Sequence, residues 1–138
     1  MYKSYYFVAQ EFVSEAVYDL LGEESLLIMN NEILLTADQL REFFNTQVYI
    51  NDYIFGGKFH ERGFRLRHSL TGAKNSQHKL GNAIDFIIDG IKPSAVQAEI
   101  IQNQRLFPFI RRMEKNTPRH THIDTKITHH KGIYVFKP

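Results

Sequence analysis

The sequence predicts an α+β domain, and three observations carry that prediction. Apolar residues recur at helical spacing in the N-terminal third, with a further helix signal after Pro93. Short β-rich or period-two runs, Asn82 to Ile88 and Arg119 to Thr125, are bounded by glycines or turn-forming residues. At 138 residues, 43% hydrophobic and 13% aromatic, the chain is long and apolar enough to close one core, so residues 1–138 are expected to form a single domain.

In chain order, Phe12, Val13, Ala16, Val17, Leu20 and Leu21 recur at helical spacing between Tyr5 and Met29, with Gly22 as the stop. Thr36-Ala37-Asp38-Gln39 has the form of a capping box, and Leu40, Phe43 and Phe44 give the helix after it an apolar face ending near Asn45. Val48-Tyr49-Ile50 reads as a short strand, and the glycine-rich stretch from Asn51 to Ala73 as loop.

On the strand Asn82 to Ile88, period two puts Ala83, Asp85 and Ile87 on one face and Ile84, Phe86 and Ile88 on the other. Lys92-Pro93-Ser94 starts a helix whose buried side carries Val96, Ile100 and Ile101, reaching about Arg105 before Leu106-Phe107-Pro108 breaks it. Phe109 to Met113 and Arg119 to Thr125 are expected to pair as antiparallel strands across the turn Glu114 to Pro118. Gly132 to Phe136 adds a last strand.

Seventeen Lys plus Arg against fifteen Asp plus Glu give a formal charge of +2, which argues against nucleic acid as partner but suits an anionic polymer such as a cell wall. With no cysteine, a metal site has to be built from His, Asp or Glu. The N-terminus lacks the apolar core of a signal peptide and no apolar run approaches the ~20 residues of a membrane span. A soluble monomer, cytoplasmic as synthesised and without membrane insertion, is the expectation.

Two segments hold residues that can bind a metal. Alternation along Arg119 to Thr125 places His120, His122 and Asp124 on one face, away from Thr121 and Ile123. His78 follows a polar loop, and Asp85 lies seven positions later between Ile84 and Phe86. Taken alone, Asp85 reads first as a strand-edge carboxylate facing solvent, and His78 can be read as a turn cap. Taken together, His78, Asp85 and His122 make up the three protein ligands that a catalytic zinc needs, with one position open for water.

Gly63-Phe64-Arg65, Gly72-Ala73-Lys74-Asn75-Ser76-Gln77-His78, Gly81-Asn82-Ala83-Ile84-Asp85 and His122-Ile123-Asp124 together resemble the zinc D-Ala-D-Ala carboxypeptidase family, including phage-type endolysins. The family is grouped with lysostaphin-type peptidases and the hedgehog signalling domain, and the resemblance spans about Thr36 to Thr125. It implies a small antiparallel sheet flanked by helices and zinc held by His78, Asp85 and His122. It further implies cleavage of peptide bonds in peptidoglycan stem peptides and release to the cell wall during phage lysis.

By the same resemblance Arg65 faces the substrate carbonyl or carboxylate, and Ser76 contacts substrate. From the residues alone, Arg65 belongs equally to a solvated basic group with Arg62 and Arg67, and Ser76 closes a turn. The chain departs from the family where Arg119 and His120 stand three and two positions before the last ligand, so the acidic base of some relatives is missing there. His120 is expected to take over proton transfer; Glu114 is the nearest upstream carboxylate. Asp124 is expected to orient a ligand histidine, and His60, His68, His129 and His130 to lie on the surface. A zinc-stabilised cell-wall or peptide-binding module that has lost catalysis is the alternative reading, with a nuclease behind it.

Overall fold

A computed structural model describes residues 2–137. It is an α+β fold: three helices and a five-stranded, mostly antiparallel sheet. The helices are α1 (Glu15–Leu21), α2 (Asn31–Phe44) and α3 (Pro93–Gln102). The strands are β1 (Val48–Tyr49), β2 (Ala83–Ile88), β3 (Arg112–Glu114), β4 (Thr121–Asp124) and β5 (Tyr134–Phe136), in the spatial order β1-β2-β4-β3-β5.

The first helix is shorter than its apolar pattern suggests. Ser14 caps it by accepting a hydrogen bond from the Val17 N–H, so Phe12 and Val13 fall before it, just after the 3-10 turn Ala9–Glu11, where both are fully buried. Gly22 ends it at φ 57, as expected, but Leu20 is 81% exposed, and of the helix's own residues only Val17 is buried.

The predicted start of the second helix is corrected. Asn30 is its cap, accepting from the Glu32 N–H at 2.9 Å, so Thr36 lies inside the helix and returns its hydroxyl to the Glu32 carbonyl at 2.6 Å. A left-handed Asn45 closes α2 as predicted. Ile33, Leu34 and Leu40 of α2 and Val96 and Ile100 of α3 join one core with Ile84, Phe86 and Ile88 of β2, the face that alternation set opposite Asp85.

Two strand boundaries also shift. Phe109 to Arg111 precede β3 because the turn around Pro108 occupies them, with the Ile110 N–H bonded to the Phe107 carbonyl; Glu114, expected in the turn, closes the strand. β3 and β4 pair antiparallel with Arg112 opposite Asp124, while β5 runs parallel to β3 and makes the sheet mixed at that edge. No helix among the described residues is long and apolar enough to cross a membrane.

Candidate metal centre and cleft

β2 and β4 run antiparallel with Asp85 directly opposite His122, which puts a carboxylate and an imidazole of the same sheet face side by side. His78 reaches them from a 3-10 turn, Gln77–Leu80, that ends at Gly81 with φ 71. Gly81 is needed for the conformation and for space, since a Cβ there would lie 2.2 Å from the Ile28 carbonyl oxygen. All three side chains are buried.

Their ligand atoms converge. His78 Nε2 lies 3.2 Å from Asp85 Oδ1 and 3.2 Å from His122 Nδ1, and His122 Nδ1 lies 2.8 Å from the same Oδ1. Donors at about 2.1 Å from a shared tetrahedral ion would stand about 3.4 Å apart, close to the triangle seen. This group can hold a metal ion.

The far side of each ligand is fixed. His78 Nδ1 is 2.7 Å from the Gly63 carbonyl oxygen, which only accepts, so Nδ1 carries a hydrogen and, in the neutral ring, Nε2 is left with the lone pair. His122 Nε2 is 3.0 Å from Asp124 Oδ2 and donates to it, which in the neutral ring frees Nδ1. Asp85 Oδ2 accepts from Arg65 Nη2 at 3.0 Å. Outer partners of this kind hold a ligand's ring angle and tautomer in metal sites.

Asp124, fully buried, is itself clamped: Arg112 donates through Nε at 2.8 Å and Nη2 at 2.7 Å, and Lys126 through its N–H at 3.1 Å. The Arg112 guanidinium lies over the Phe136 ring, whose edge also meets His122. The last strand thus backs the site.

The electrostatics follow from this crowding. Burial would raise the Asp85 pKa, but hydrogen bonds from His122 and His78 outweigh it and hold the carboxyl well below its usual range. Burial would lower His122, but its bonds to Asp124 and Asp85 bring it up to about 9, so without metal a proton takes the place of the cation. For Asp124, burial is again outweighed, by His122 and Arg112, and the pKa falls.

His120 precedes β4 and is half-buried, with Nε2 3.8 Å from Asp85 Oδ1. Burial lowers its pKa despite the opposing charges of Asp85 and Glu114, so it is neutral at pH 7. His120 and Asp85 line an open cleft of about 890 Å³ together with Arg62, Arg65, Phe59 and the segment 116–119. Half-buried Glu114 lies close enough for its charge to act on His120.

The residues singled out in the sequence therefore separate. His78, Asp85 and His122 come together, Asp124 stands behind His122, and His120 stands at the open side. Ser76 caps the turn by accepting from the His78 N–H at 3.3 Å, and its side chain is not among the cleft-lining groups. The solvated basic group is corrected: Arg67 is exposed, but Arg62 and Arg65 are buried, and Arg65 is tied to Asp85 and to the Glu61 carbonyl. His60, His68, His129 and His130 are exposed as expected.

Sequence reasoning missed Arg112, although its place opposite Asp124 is a cross-strand pairing that a correct register would have revealed. It also missed the Gly63 carbonyl, which reaches His78 because Gly63 packs against the Phe12 backbone where a Cβ would lie 2.1 Å from the carbonyl oxygen. Comparison of the chain with protein-family models, curated proteins and solved structures gave no match, so the reading of this site rests on its own geometry.

Proposed function

We propose that the protein is a zinc-dependent peptidase that hydrolyses peptide bonds in peptidoglycan stem peptides. The observation that supports this best is the convergence of His78 Nε2, Asp85 Oδ1 and His122 Nδ1, each with its far side held, beside an open cleft. Two imidazole nitrogens and one carboxylate oxygen suit zinc and leave its fourth position open. When bound, zinc would supply a water activated at neutral pH and an electrophile for the scissile carbonyl.

The chain's own groups divide the remaining work. His120, neutral at pH 7 and facing the cleft, accepts the proton of the attacking water and passes it to the leaving amine. Arg65 holds Asp85 in its ligating orientation and adds positive charge close to the reacting carbonyl. Asp124 and Arg112 fix the ring of His122.

The test is release of new amino groups from purified cell walls and synthetic stem peptides by zinc-loaded protein. The wild type should hydrolyse, and His120→Ala should keep its zinc while losing roughly 100-fold or more in rate. Undiminished hydrolysis in His120→Ala would exclude that residue as the base. Zinc and peptide binding with no turnover by the wild type would instead favour the quiet binding module.

A further inference from the structure

Between β3 and β4 the chain crosses through residues 115–120, and this crossing forms one wall of the cleft and carries His120. It is lightly held. Lys115, Asn116, Pro118 and Arg119 are exposed, and a second hollow of about 530 Å³ opens behind the wall, between residues 116–118 and the start of α3. With space on both sides, packing fixes only Thr117, whose side chain is buried.

The backbone does little to restrain it. The Lys115 N–H donates to the Phe136 carbonyl at 2.7 Å, but no backbone hydrogen bond among the described residues reaches 116–120. One side chain closes the gap. Gln97 Nε2 lies 3.0 Å from Thr117 Oγ1 and 3.4 Å each from the Thr117 carbonyl, the His120 carbonyl and Thr121 Oγ1. An amide nitrogen has two hydrogens, so one serves the Thr117 hydroxyl and the other is shared among the remaining three oxygens. Gln97 stands on a fixed base, because Val96 and Ile100 of the same helix are buried in the core.

We propose that Gln97 is a positioning residue, which ties the cleft wall to α3 and so holds His120 at the open side of the His78, Asp85 and His122 group. The consequence for rate rests on the peptidase reading, in which His120 moves the proton. The tie itself does not. The metal group is carried by β2, β4 and the turn Gln77–Leu80, so loss of the tie should leave zinc in place.

Gln97→Met keeps the length of the side chain and removes its donors, Gln97→Lys restores a donor, and all three residues suit a helix. Native-state trypsin digestion reads the tie directly. Cleavage after Lys115 and Arg119 should rise about fivefold in Gln97→Met, as one lost hydrogen bond shifts the open population, and fall back most of the way in Gln97→Lys. Cleavage after the exposed Arg67 should not change. Thr117→Val removes the acceptor at 3.0 Å and should give the same pattern, which decides the matter should Gln97→Met fail to fold. On zinc-loaded protein, kcat for a synthetic stem peptide should fall about tenfold in Gln97→Met with KM within about twofold of the wild type. The same substitution made in His120→Ala should lower the rate no further.

The two readings fail separately. Raised cleavage after Lys115 and Arg119 in the variants, beside a wild type that hydrolyses nothing, would retain the tie and remove the peptidase. Unchanged cleavage, or a rise that extends equally to Arg67, would overturn the tie. Hydrolysis with kcat unchanged in Gln97→Met, or a loss of rate that persists in the His120→Ala background, would overturn the positioning role and leave the peptidase standing.

Discussion

Two neighbouring arginines that both grip carboxylates offer a controlled test of how the site is held. Arg112 donates twice to Asp124, which is fully buried, and Arg111 donates twice to Glu32, in a pair about a third exposed on both sides. In Arg112→Met the stem can still pack on Phe136, but Asp124 keeps only the His122 and Lys126 N–H groups. Removing one partner of a buried pair costs about 3 kcal/mol or more. For a chain of this size that is a fall in Tm of roughly 10 °C.

Arg111→Met breaks a solvent-screened pair and should cost about 1 kcal/mol or less. Because Asp124 orients His122, Arg112→Met should also weaken zinc binding by about 10- to 100-fold, whereas Arg111→Met should leave it unchanged. Urea unfolding and zinc titration of both variants decide the matter. If the two substitutions cost the same, the claim that the Asp124 clamp supports the metal group is wrong.

Metal-free stability should depend on pH in a defined way. His122 is raised from 6.5 to about 9, so its contribution is complete below about pH 6.5 and is lost as pH rises through about 9; Asp85 and Asp124 are lowered, so theirs are present above about pH 4 and lost as pH falls. Since zinc displaces the His122 proton, its affinity should rise roughly tenfold per pH unit between about 7 and 9, and flat affinity over that range would refute the linkage. Gly63→Ala places a Cβ 2.1 Å from the Phe12 carbonyl oxygen and should cost about 2 kcal/mol or more in unfolding, with weaker zinc binding because Gly63 also holds His78; a neutral variant would show that the contact yields. Asp38 accepts from the Tyr2 and Ser4 hydroxyls and the Tyr5 and Tyr6 N–H groups, so Asp38→Asn should loosen the N-terminal segment to proteolysis and return the Tyr2 phenol, whose pKa its hydrogen bond to Asp38 pushes up to about 12, toward 10 by tyrosine NMR titration. Unchanged cleavage and titration would remove Asp38 from that role.

The ligand group was legible through its residue types and the family motifs it resembles, with alternation giving only the face of each strand. That Asp85 stands opposite His122 follows from the β2–β4 register, and a short turn ending at Gly81 brings in His78. What stayed hidden depends on pairing across the chain. Arg62 and Arg65 stand three positions apart in one loop with the same chemistry, and only the fold ties the second to Asp85 and leaves the first without a carboxylate partner among the described residues. Asn51 carries no sequence signature, yet its buried side chain fixes the Arg62 backbone and bonds the Val13 carbonyl. The start of α2 was misread because Asn30 and Thr36 both have capping chemistry, and the choice falls to Asn30, whose N–H bonds the Gly81 carbonyl at the base of the His78 turn.

The central claim is that His78, Asp85 and His122 bind one ion as a unit, and zinc content after dialysis against trace zinc tests it most directly. The wild type should retain about one zinc per chain, and Asp85→Ala and His122→Ala, confirmed as folded, should each retain almost none. Stoichiometric zinc in either folded variant, or none in the wild type, would contradict the account.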